Sequence, residues 1–167
     1  MSEGNTDVCL YGTSILGDML IAAKDTPPWK ALATAIETIK VLVVDDHAIV
    51  REAVRAFLTL QKDIQVVGEA VNGQEALERT LELAPDVVLM DIAMPVMNGL
   101  EATERIRSKW DQAKILMLTQ YDEDENVLAS TQVGALGFVP KRSVGADLLN
   151  GIRSVSQGKR FVHSVAA

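Results

Sequence analysis

From Ile39 onward the chain alternates between two hydrophobic rhythms. Uninterrupted apolar runs at Val41–Val44, Val87–Met90, Ile115–Leu118 and Gly137–Pro140 have the length of strands buried on both faces, as in a parallel sheet covered by helices. Between them, apolar residues recur at helical spacing. Strands are predicted at 39–45, 64–68, 86–91, 114–119 and 137–140, and helices near 47–61, 73–83, 99–109, 124–132 and 143–157. In the first helix Ile49, Ala53, Ala56, Phe57 and Leu60 form the predicted apolar stripe, with Arg51, Glu52 and Arg55 outside it. Asn72-Gly73 and Asn98-Gly99 mark helix starts, and Gly134 closes another helix. Five strands alternating with five helices predict an α/β fold built on a doubly wound parallel sheet. The more polar run Asp63–Gly68 suits a sheet edge.

In such a sheet every strand points the same way, so residues at the C-terminal strand ends gather where open α/β sheets bind ligands. The first run ends in Asp45-Asp46, the third in Asp91, the fourth in Thr119 and the fifth in Lys141. Carboxylates, a hydroxyl and an ammonium are therefore expected in one polar site. Taken singly, each has a plainer role. Asp45 and Asp46 would cap the next helix, Thr119 would end a strand, Lys141 would be solvated and Phe138 would be core. Their joint placement favours a site that handles phosphoryl groups.

The 167 residues suffice for one α/β domain with an appendage. A net charge of −7 disfavours nucleic-acid binding, which draws on Lys and Arg to neutralise phosphates. The single Cys9 excludes an internal disulfide and fits a reducing compartment. The start lacks a basic signal region, and Met19–Ala23 is too short to cross a bilayer, so a cytoplasmic protein without membrane association is expected. Residues 1–38 carry no motif. Around Pro27-Pro28 they read as an N-terminal extension, partly helical, of unassigned function, and 159–167 as a tail or the start of a linker.

Residues 39–158 resemble the receiver domain of two-component response regulators. The resemblance rests on Ile39–His47, on Asp91-Ile92-Ala93-Met94-Pro95 with Asn98-Gly99, on Leu118-Thr119 and on Gly137–Lys141. The similar branch is the NarL/FixJ (LuxR-type) one, whose C-terminal helix-turn-helix has no counterpart among these residues. The resemblance implies a flavodoxin-like (βα)5 sheet of strand order 2-1-3-4-5. It implies that a sensor histidine kinase donates a phosphoryl group to Asp91, with Mg²⁺ held by Asp46, Asp91 and the Ala93 backbone carbonyl and by Asp45 largely through water. Lys141 would pair with the phosphoryl oxygens, and Thr119 and Phe138 would form a conformational switch controlling an output or partner. Homodimers would form through the fourth/fifth or the first/fifth helix face. By the same resemblance His47 is a surface or capping residue rather than a relay histidine. His163 has no partner in sequence, and Met94 and Met97 pack.

The implied molecule assists its own phosphorylation and dephosphorylation without turning over a metabolite. An aspartyl-nucleophile phosphatase would need a second Asp at position 93, where Ala93 stands. A phosphorylation-independent interaction module of the same fold is the alternative. Gln120 and Tyr121, together with Ala93, are expected to slow loss of the acyl phosphate by hindering water.

Overall fold

The computed structural model describes residues 37–120, 124–143 and 145–162. Residues 1–36 of the expected extension, together with Tyr121 and His163, lie outside the described residues. In chain order the elements are β1 (Ile39–Val44), α1 (Ala48–Thr59), β2 (Ile64–Ala70), α2 (Gly73–Leu83), β3 (Val87–Asp91) and α3 (Gly99–Lys109). They continue as β4 (Ile115–Thr119), α4 (Asp124–Gln132), β5 (Gly137–Pro140), a 3₁₀ turn (Lys141–Ser143), α5 (Ala146–Ser156) and β6 (Phe161–Val162). All strand pairs are parallel, in the order β2-β1-β3-β4-β5-β6.

The apolar runs explain this layering. Side chains alternate across each strand, so Leu42, Val44, Val88, Met90, Ile115, Met117 and Phe138 meet Ala76 and Leu77 of α2 and Ala102 and Ile106 of α3. Their neighbours Val41, Val43, Val87, Leu89, Leu116, Leu118 and Val139 meet Val54 and Leu58 of α1 and Leu148, Ile152 and Val155 of α5. Met94 and Met97 pack into the first of these cores, as expected. The Asn72 and Asn98 side chains accept from the Glu75 and Glu101 amides, capping α2 and α3. Gly134 takes a left-handed φ of 91° just beyond α4.

The structure changes two expectations and removes one plainer reading. The buried face of α1 is Val54 and Leu58, flanked by Val50 and Phe57, while Ile49 and Leu60 are 83% and 78% exposed and Ala53 and Ala56 also face outward. Both stripes satisfy helical spacing, and packing on the sheet selects Val54 and Leu58 as the inward pair. Asp45 and Asp46 do not cap α1. Its N-cap is His47, whose side chain makes no capping bond. Third, the expected tail contributes β6, in which Phe161 lies opposite Gly137 and Val162 opposite Phe138.

Candidate functional site

Strand register brings the polar residues together. Val44 lies opposite Met90, so the next residues, Asp45 and Asp91, leave adjacent strands side by side. Leu118 lies opposite Asp91 and Thr119 opposite Pro140, which places Lys141 just beyond the threonine. Asp45, Asp91 and Thr119 are all buried, a costly location for carboxylates that demands partners.

Lys141 supplies one. Its Nζ is 2.6 Å from Asp45 Oδ2 and 2.8 Å from Asp91 Oδ2. Burial disfavours the ammonium, but the two carboxylates outweigh it and raise the Lys141 pKa. Burial also pushes the Asp91 carboxyl above its ordinary range, with Asp45 adding to the push and Lys141 opposing it. One ligand atom each from Asp45, Asp46, His47 and Asp91 lies within 4.8 Å of every other. Asp45 Oδ2 is taken up by the Lys141 ammonium, while Asp46 Oδ1 is buried with only the His47 ring nearby, at 2.9 Å. Three carboxylates thus cluster around one ammonium, and the surplus negative charge on oxygen donors is what a hard divalent cation takes. Ala93 is exposed in the loop after Asp91, and Phe138 is buried on β5.

Backbone and side-chain contacts hold this arrangement in ways the apolar pattern does not reveal. Arg51, expected outside the packed face of α1, turns back to donate from Nη1 to the Asp45 carbonyl at 2.8 Å, with its Nε 3.4 Å from Glu69 Oε2. The His47 amide donates to Asp45 Oδ1 at 2.9 Å, which orients that carboxylate. Gly99 packs so closely that a Cβ there would stand 1.9 Å from the Asp91 carbonyl oxygen. Its amide donates to the Ile92 carbonyl. The Asn-Gly signal marked the helix start but gave no sign of this approach. Nothing in the spacing of Arg51 distinguished it from a solvated arginine.

The likeness to known proteins is extensive. The profile for the response regulator receiver domain matches residues 41–153. The transcriptional regulatory protein LiaR of Bacillus subtilis is 41% identical over 129 residues, covering 77% of this chain and 61% of LiaR. The response regulator protein VraR of Staphylococcus aureus is 42% identical over 122 residues, covering 73% of this chain and 58% of VraR. The chain therefore spans about three-fifths of the length of these relatives. A LuxR-family two-component response regulator from Aurantimonas superposes with a TM-score of 0.72 at 36% identity, over 74% of this chain and 89% of that one. Among the described residues no helix is long and apolar enough to cross a membrane. With a matching profile over most of its length and a parallel sheet that converges acidic residues and a lysine on one pocket, the chain belongs to the response regulator receiver domain family of two-component systems.

Proposed function

We propose that Asp91 accepts a phosphoryl group from a sensor histidine kinase in a Mg²⁺-dependent reaction. The observation that carries this reading is Lys141 Nζ set 2.8 Å from Asp91 Oδ2 inside a cluster of three carboxylates that one ammonium does not neutralise. Phosphoryl transfer depends mainly on positioning and charge neutralisation. A carboxylate oxygen of Asp91 attacks phosphorus, the bond to the donor imidazole breaks, and that nitrogen keeps the electron pair. Asp46, Asp91 and the Ala93 carbonyl would hold the cation, with Asp45 acting through water. Once bound, Mg²⁺ supplies positive charge and fixed coordination sites for phosphoryl oxygens. Lys141 adds a point charge to those oxygens. Thr119, at the end of β4, donates its hydroxyl to them, and Phe138 on β5 responds to its movement. A phosphoryl group shifts this equilibrium only as far as it favours one state over the other.

The domain so defined begins at 39 and runs past the expected end at 158 to include β6, to Val162; it is preceded by an extension and acts in the cytoplasm as a signalling switch rather than a metabolic enzyme. The exposed stripe Ile49, Ala53, Ala56 and Leu60 supports pairing of two copies through the first/fifth helix face. Acidic composition supports the reading that these residues do not themselves bind DNA. The test is incubation with Mg²⁺ and acetyl phosphate, read by intact mass. A single phosphoryl adduct that vanishes in Asp91→Asn is expected. An adduct that survives this change, or none in the parent protein, would overturn the assignment.

A further inference from the structure

His47 stands where neither the helix nor the proposed phosphoryl chemistry requires a histidine. Its ring is 55% exposed and caps nothing. Its Nδ1 nevertheless points back at the acidic pair, 3.2 Å from Asp45 Oδ1 and 2.9 Å from Asp46 Oδ1. The 3.2 Å contact is a hydrogen bond when Nδ1 carries the proton, whereas Asp46 Oδ1 is buried with no hydrogen bond among the described residues. With Nδ1 deprotonated, a ring nitrogen and two carboxylate oxygens converging at these distances are also how ligands of one ion sit. Neighbouring ligands bound at about 2.1 Å stand about 3.0 Å apart in an octahedron and about 3.4 Å in a tetrahedron. The two separations from Nδ1 fall in or next to that interval.

Donor chemistry then separates the ions. Carboxylate and carbonyl oxygens suit Mg²⁺, whereas imidazole nitrogen suits zinc, nickel and copper. Resting on the reading of this pocket as a divalent-cation site, we infer that His47 Nδ1 is a further ligand that admits late first-row divalent ions in competition with Mg²⁺. Zn²⁺ is the probe. A nitrogen-held ion would draw on the Asp46 carboxylate that Mg²⁺ also needs, so Zn²⁺ and Mg²⁺ exclude one another. The specificity of the pocket is thus set by an exposed residue outside the carboxylate set.

The chain has two histidines and one cysteine, which makes the test clean. In the full chain carrying Cys9→Ser and His163→Ala, Zn²⁺ and Mg²⁺ are titrated calorimetrically with residue 47 as His, Gln or Ala. Gln keeps an N–H donor for the carboxylates but lacks the imidazole nitrogen, so it separates coordination from hydrogen bonding. The expected result is Zn²⁺ binding weakened at least about tenfold by both substitutions. Mg²⁺ affinity should stay within about twofold, and Mg²⁺ in large excess should compete Zn²⁺ off the parent. No Zn²⁺ binding in the parent, unchanged Zn²⁺ affinity in His47→Gln, or parallel loss of both ions overturns the inference. Acetyl phosphate labelling with Mg²⁺ is run alongside. Normal labelling with Zn²⁺ affinity indifferent to residue 47 rejects this inference alone, whereas an unlabelled parent rejects the phosphoacceptor reading.

Discussion

Replacing Lys141 with Met removes the ammonium that balances the pocket while keeping much of its apolar stem. In the folded protein Nζ is 2.6 Å from Asp45 Oδ2 and 2.8 Å from Asp91 Oδ2, and both carboxylates are at most 2% exposed. Stripping one partner from a buried ion pair costs about 3–5 kcal/mol because the remaining charge is uncompensated. Here two carboxylates lose their common partner, but Asp91 can escape part of the cost by taking a proton, since burial already holds its carboxyl above the ordinary range. We expect Lys141→Met to lose about 3 kcal/mol in urea unfolding at neutral pH without Mg²⁺. The sign with pH follows from linkage. An acid whose folded pKa is raised holds its proton more tightly when folded. The penalty is therefore absent below the unfolded carboxyl range and grows as pH rises through the elevated folded value. The gap to the parent protein should narrow as pH falls toward about 4. Adding Asp91→Asn should recover part of the loss, with a coupling energy of about 1–3 kcal/mol. Parent-like stability at neutral pH, or a loss that Asp91→Asn leaves untouched, would refute the charge balance proposed for the pocket.

Gly99→Ala should displace the Asp91 backbone, whose carbonyl oxygen would lie 1.9 Å from the new Cβ. We expect a cost of about 1–3 kcal/mol in urea unfolding and slower labelling by acetyl phosphate, and unchanged values for both would contradict the packing. Arg153 of α5 grips Asp63 with both arms at 2.7 and 3.0 Å, and that hydrogen-bonded pairing lowers the Asp63 pKa. Both side chains are partly solvated, so Asp63→Asn should cost only about 0.5–1 kcal/mol. A depressed folded pKa contributes stability above the unfolded carboxyl range, so the difference should fade as pH falls through the folded value in acid-unfolding titrations. The acyl phosphate on Asp91 should persist for minutes or longer in purified protein with Mg²⁺, given Ala93 and Gln120 beside the site. Loss within seconds, followed by intact mass, would reject that expectation.

Most of the fold was legible because buried parallel strands must be apolar on both faces, and β1, β3, β4 and β5 are. The residues that end them were legible for the same reason, since a polar side chain after an apolar run can only sit at a strand terminus. Helix α1 was harder. Its sequence supports two stripes, and only contact with the sheet decides that Val54 and Leu58 go inward. Arg51 and Gly99 act through backbone atoms of Asp45 and Asp91, and no side-chain pattern encodes that. β6 was missed because two residues are too few to show a period.

That two-residue strand has a practical consequence for anyone preparing a shorter fragment. The recognised segment stops at residue 153, yet Phe161 hydrogen-bonds to the Leu136 carbonyl and lies over Gly137 and Gly151, whose missing side chains leave it room. Trimming the protein back to the matched region would strip the outer side of β5, leaving unsatisfied amides and carbonyls open to pairing with a neighbouring molecule. Self-association of such a fragment would then report the cut rather than the signalling state, and preparations meant to measure dimerisation should retain Val162.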